Sequence, residues 1–134
     1  MLTTKLIHPD IISVLSLCGH GSKVLIADGN YPLAQKTGDA EKVYLGLTAG
    51  IPTVTEVLKA LHSVCEFEKA EVMVPEEGPE PEIFQEFRDE LGMELSPVGR
   101  WEFYDLASEP IVYLAISTGE KRTFSNILLT VGCA

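Results

Sequence analysis

Short apolar runs alternate along this 134-residue chain with segments whose apolar residues recur at helical spacing. That alternation restricts the fold to a layered α/β domain with a mixed or largely parallel central sheet. The extended runs are Val24 to Asp28, Val43 to Leu47, Glu71 to Pro75, Ile111 to Ser117 and Ile127 to Val131. Pro9 and Asp10 open the first helical segment, which carries Ile11, Ile12, Val14, Leu15, Leu17 and Cys18 and stops at Gly19. Its apolar residues wrap too far round for a surface helix, so it is expected to be central or covered by another subunit. Gly50-Ile51-Pro52 leads into a second helix with Val54, Val57, Leu58, Leu61 and Val64 on its apolar face. Ile83, Phe84, Phe87 and Leu91 mark a third, and Arg100 to Ala107 a short fourth with Trp101, Phe103 and Tyr104. Tyr31 to Glu41 reads as a polar loop. The length suits one domain over residues 1–134 and is too short for two ordinary ones.

Composition narrows the function. The net charge of −10 argues against nucleic acid and anionic membrane as partners, because both are polyanions. No apolar run is long enough to span a bilayer, and Met1 to Pro9 lacks a signal-peptide pattern, so the expected compartment is the cytoplasm. Cys18, Cys65 and Cys133 form no CxxC pair and read as buried, inert thiols rather than a zinc site or disulfide framework. Neither a GxGxxG nor a Walker motif is present, so nucleotide binding has no motif support. The acidic run Glu76 to Glu82, with Glu86, Asp89 and Glu90, reads as a solvated loop and helix face.

Chemistry concentrates in two places. Gly19-His20-Gly21 holds an imidazole between residues whose backbone turns sharply, and Asp28 falls at the end of the run that follows. Open α/β sheets place ligands at the carboxyl ends of their strands. Near the other terminus, Thr118-Gly119-Glu120-Lys121-Arg122-Thr123-Phe124-Ser125-Asn126 gathers polar and aromatic residues ahead of the last strand. Taken singly, either segment reads better as an ordinary polar turn than as a site. His8 and His62 read as structural or solvated.

Gly19-His20-Gly21 through Asp28-Gly29-Asn30-Tyr31-Pro32 resembles the N-terminal signature of the D-ribose pyranase / L-fucose mutarotase family. Gly119-Glu120 through Phe124-Ser125-Asn126-Ile127-Leu128-Leu129 resembles its C-terminal signature, and Leu47 to Pro52 its middle turn. The resemblance implies a three-layer α/β/α fold and a ring-shaped homo-oligomer, often a decamer of stacked pentamers, with sites at subunit contacts. It implies interconversion of monosaccharide anomers or ring forms without a cofactor or metal. By position, His20 matches the catalytic histidine and Asp28 the sugar-binding aspartate. Phe124, Ser125 and Asn126 match the sugar-contacting triplet. Arg100 matches a binding position that is arginine in fucose-type members and histidine in ribose-type ones. Two residues depart from the pattern. Phe124 stands where tyrosine is usual, keeping a ring but losing a hydroxyl, and Ser22 stands where an acidic residue often follows the His-Gly pair.

The expected mechanism is acid/base catalysis. Mutarotation takes a proton from the anomeric hydroxyl, delivers one to the ring oxygen, and reverses both steps after the carbonyl face turns. Histidine suits this near neutral pH. On this reading His20 exchanges the protons, Asp28 orients hydroxyls or acts as the complementary carboxylate, Arg100 and Asn126 bind hydroxyls, and Phe124 packs on the sugar ring. The competing expectation is a non-catalytic, sugar-transport-associated binding protein, which the missing Phe124 hydroxyl favours. A third is a purely structural oligomer, suggested by the over-apolar first helix.

Overall fold

The apolar run at Val24 becomes β1 (Lys23–Ala27), a central strand buried on both faces. Val24 and Ile26 point into one core, Leu25 and Ala27 into the other, as the period-2 alternation of a strand demands. The structure is a computed structural model describing residues 1–134. Along the chain follow α1 (Pro9–Ser16), β1, β2 (Glu41–Tyr44), α2 (Val54–His62), β3 (Phe67–Val74), α3 (Ile83–Leu91), β4 (Ser96–Gly99), α4 (Arg100–Ala107), β5 (Val112–Ser117) and β6 (Ile127–Val131).

The strands form one six-stranded sheet in the order β2-β5-β1-β6-β3-β4. β1, β5 and β2 run parallel to one another, as do β3 and β4. β6 is the seam, antiparallel to both β1 and β3. The sheet is therefore mixed. α1, α2 and α3 cover one face, with Leu58, Leu61, Ile83 and Phe87 among its fully buried side chains. α4 and the 31–40 segment cover the other through Phe103, Tyr104, Ala107, Tyr31 and Leu33. Fully burying an aliphatic or phenyl side chain stabilises by roughly 1.5–3 kcal/mol, so these stripes fix which face each helix presents.

Local sequence explains most boundaries. Thr53 and Glu56 form a reciprocal capping box that starts α2. The His8 imidazole Nδ1 accepts from the Ile11 N–H and caps α1, a structural role for that histidine. His62 is likewise engaged, its Nδ1 lying 2.9 Å from Glu90.

Several elements differ from the sequence-based expectation. α1 ends at Ser16 rather than at Gly19, because the Leu17 and Cys18 N–H groups bond back to Val14 and Leu15 in a tightened last turn. Of the two expectations for it, central or covered by another subunit, the first does not hold: only Ile11 and Leu15 are buried, and Leu17 is exposed. β3 begins at Phe67, before the apolar run, because pairing with β6 recruits Phe67 and Lys69, with Glu68 bulged between them. β2 likewise lies slightly earlier than Val43 to Leu47, in register with β5. β4 was not expected, since Pro97 and Gly99 are poor strand formers; it survives as an edge strand, where proline is tolerated. None of the three cysteines is fully buried: Cys18 and Cys65 are half-buried and Cys133 is exposed. Burial still pushes the Cys18 and Cys65 thiols up, which favours the protonated form.

Candidate functional site

β5 and β6 are consecutive along the chain but are not neighbours in the sheet, because β1 lies between them. Their connection, residues 118–126, must therefore cross the carboxyl end of β1, where Asp28 sits. That crossing turns two polar segments almost a hundred positions apart into one site. It is pinned where it begins: the Thr118 N–H and hydroxyl both donate to the Ala27 carbonyl, at 3.1 and 2.8 Å. Gly119 lies so close to the Ile51 and Thr48 carbonyls that no Cβ fits there.

Asp28 organises the centre. Its Oδ1 accepts from the Asn30 N–H at 2.9 Å and its Oδ2 from the Ser125 N–H at 3.1 Å. Its own N–H donates to Asn126 Oδ1 at 2.8 Å. Burial pushes the Asp28 carboxyl above the usual range; the backbone N–H donors oppose that shift, and the nearby Glu120 charge adds to it. Asn126 spends its carbonyl oxygen on Asp28, which leaves its amide nitrogen as a donor.

A cavity of ≈ 210 Å³ opens beside these groups, bounded by Asp28, Asn126, Thr123 and Phe124 on the loop side. Tyr31, Met73, Arg100 and Tyr104 close the opposite side. Arg100, at the start of α4, donates through Nε to the Tyr104 hydroxyl at 3.2 Å and stacks 4.8 Å from the exposed Trp101 ring. Phe124 has φ +53 and stands half-exposed at the rim. Four of the expected residues, Asp28, Arg100, Phe124 and Asn126, thus meet around one space. Ser125 is fully buried behind it, with its N–H committed to Asp28.

His20 lies elsewhere. It precedes β1, whereas Asp28 follows it, so about 17 Å of strand separates them at ~3.3 Å per residue. A tight turn presents the imidazole: the Gly19 N–H donates to Ser22 Oγ at 3.1 Å, the Ser22 N–H returns to the Gly19 carbonyl, and Gly21 has φ +91. Ser22, the residue that departs from the family pattern, is thereby the turn's internal cap. The His20 Nε2 lies 3.0 Å from both Glu68 carboxylate oxygens, and both side chains are about half exposed. Beside them is an apolar groove of ≈ 580 Å³ between α1, the segment after α2 and the C-terminus. No group of three or more His, Cys, Asp or Glu side chains is placed to hold a metal ion.

Residues that sequence reasoning passed over complete the site. Tyr31 and Tyr104 form its aromatic wall, their rings 5.4 Å apart edge to face. Tyr104 was read only as part of the short fourth helix, and Tyr31 as the start of a polar loop. Arg122 looked like part of a charged turn but bridges Glu120 to Glu86 on α3.

Comparison with known proteins agrees with this architecture. D-ribose pyranases of Clostridium novyi (strain NT) and Staphylococcus haemolyticus (strain JCSC1435) are each 30% identical to the chain, with 98% of both sequences covered. The fucose mutarotase of Bos taurus is 27% identical over 140 residues, covering 95% of this chain and 89% of that protein. In fold, the Streptococcus pneumoniae fucose mutarotase in complex with L-fucose superimposes with a TM-score of 0.85 at 22% identity, covering 100% of this chain and 99% of the other. Bacillus subtilis RbsD complexed with D-ribose gives 0.83 at 21% identity with the same coverage. The model of the RbsD / FucU transport protein family matches residues 1–134, and the chain belongs to that family.

Proposed function

We propose that the protein is a cofactor-free monosaccharide mutarotase that interconverts the anomers or ring forms of a sugar bound in the Asp28 cavity. The observation that carries this reading is the convergence of a buried carboxylate, a guanidinium, an unspent amide donor and an aromatic ring around one small space. Relatives named D-ribose pyranase and fucose mutarotase support it, and Arg100 favours a fucose-type sugar.

The Asn126 amide nitrogen and the free end of the Arg100 guanidinium donate to sugar hydroxyls. Asp28, already accepting two backbone N–H groups, orients a hydroxyl or takes the complementary proton. Phe124 packs on the apolar face of the ring, and Ser125 keeps Asp28 in place. His20 moves the proton between the anomeric hydroxyl and the ring oxygen. Because one chain keeps His20 at the far end of β1, the histidine at each cavity comes from a neighbouring copy. The apolar groove beside His20, with the exposed Leu17 and Val64 near it, supports that contact. The assembly on this reading is a ring-shaped homo-oligomer, a decamer of stacked pentamers, in the cytoplasm. No helix is long and apolar enough to cross a membrane.

Magnetisation-transfer NMR on a panel including L-fucose and D-ribose tests the activity. His20→Ala and Asp28→Ala are each expected to be inactive. Refolding them together should restore exchange, because some contacts then pair an intact His20 with an intact Asp28. Failure of the mixture to recover any exchange would place both groups in one copy and overturn the shared site. The second reading, a sugar-transport-associated protein that binds without catalysis, is favoured by the absent Phe124 hydroxyl. Calorimetric binding of a sugar whose exchange is not accelerated would select it.

A further inference from the structure

Phe124 is the one residue other than glycine with a positive φ, at +53, and it stands at the rim of the Asp28 cavity. A bulky side chain holds such a conformation only where the flanking chain is constrained on both sides. On the carboxyl side the constraint is evident: Ser125 N–H donates to Asp28 Oδ2, and Asn126 Oδ1 accepts from Asp28 N–H. On the amino side the first firmly held side chain is Arg122.

The Arg122 guanidinium is gripped from two directions. Nε and Nη2 donate to Glu120 at 2.9 and 3.2 Å, and Nη1 donates to Glu86 at 2.6 Å. Glu120 is only 4% exposed, and its Oε2 accepts from the Val54 N–H at the start of α2. Glu86, on α3, also accepts from the Thr55 hydroxyl at 2.7 Å. Both carboxylates are therefore tied to α2, and the guanidinium joins the crossing loop to two helices. A single exposed ion pair would hold little. A planar fork between two carboxylates, one of them buried, fixes direction as well as distance.

We propose that Arg122 is a positioning residue for the sugar site, clamping the 118–126 loop so that Phe124 keeps its left-handed conformation over the cavity. The proposal rests on reading that cavity as the sugar site. It goes further by assigning sugar affinity to a residue that does not line the cavity, acting through Phe124.

Calorimetry with L-fucose and D-ribose, together with amide hydrogen exchange at Ser125, tests the clamp. Arg122→Ala is expected to weaken sugar binding about tenfold, the scale of losing one charge-assisted anchor. It should also speed exchange of the Ser125 N–H. Arg122→Lys should stay nearer the alanine variant, because an ammonium offers no fork. In a Phe124→Gly background, where glycine takes the left-handed conformation freely, Arg122→Ala should cost no further affinity. Wild-type affinity and Ser125 protection in Arg122→Ala would overturn the proposal, as would an equal loss in the Phe124→Gly background. Should Arg122→Ala fail to fold, Glu86→Gln loosens only the outer grip and should shift both readouts in the same direction; no shift there overturns the clamp. If the wild-type chain binds neither sugar, the reading of the cavity fails, and Ser125 exchange still decides whether Arg122 holds the loop.

Discussion

The two ends of β1 are built on opposite plans. At the carboxyl end Asp28 is 2% exposed and is bonded to Asn30, Ser125 and Asn126. At the amino end His20 stands on an exposed glycine turn, and its side chain is 58% exposed with Glu68 as its partner. A binding carboxylate gains from rigid placement, because ordering is then complete before the ligand arrives. If His20 serves a neighbouring copy as proposed, it must instead project from its own fold. On the proposed reading, burial and hydrogen bonding within one chain mark the binding half of the site, while the acid/base half is marked only by its exposure.

Substitution at each end gives the largest test of that contrast. Asp28→Ala strands the buried Ser125 N–H, and leaving a buried polar group unpaired costs roughly 1–3 kcal/mol. Its urea midpoint should fall clearly. His20→Ala should unfold like the wild type while slowing sugar exchange about 10²–10⁴-fold, the usual worth of general acid–base help. Equal midpoints for the two variants would show that Asp28 is no better anchored than His20.

Acid titration sharpens the same comparison within the carboxyl-end cluster. For Glu86, hydrogen bonds from Arg122 hold the carboxyl below the ordinary range; for Glu120, burial raises it but the Arg122 bonds outweigh that and hold it low. A carboxyl lowered on folding contributes stability that is present above its unfolded pKa and lost as pH falls through the folded value. Asp28 is raised on folding, so its contribution has the opposite sign and grows more favourable as pH falls. Stability should therefore drop on acidification below the ordinary glutamate range, and Asp28→Asn should make that drop steeper. Urea midpoints between neutral and acidic pH measure it, and a shallower drop in Asp28→Asn would reverse the assigned sign.

The smallest expected effect is spectroscopic. Trp101 is the chain's one tryptophan, and its ring lies 4.8 Å from the Arg100 guanidinium at the cavity. Sugar binding that engages Arg100 should alter the indole emission, and His20→Ala should preserve the response. A response lost in His20→Ala but kept in Arg100→Ala would move sugar binding away from the Asp28 end.

Much of this was legible in residue order. The stripe Ile83, Phe84, Phe87, Leu91 predicted α3, and Arg100 to Ala107 matched α4 residue for residue, because helical spacing is a local property. Four expected site residues also meet at one cavity. β4 was not legible, because an edge strand with Pro97 depends on β3 rather than on its own propensity. Arg122 was not either, since Glu86 reaches it from another helix.

By itself the sequence determined the alternation of strands and helices, the two polar segments around His20 and Asn126, and the family to which they point. Only the tertiary structure decided that β1 lies between β5 and β6. Strand order is set by long-range pairing and core burial, which no local pattern encodes. From that order follows the loop that crosses Asp28 and carries Phe124, Ser125 and Asn126 to it. The same strand, by its length, keeps His20 at the opposite end of β1 from Asp28.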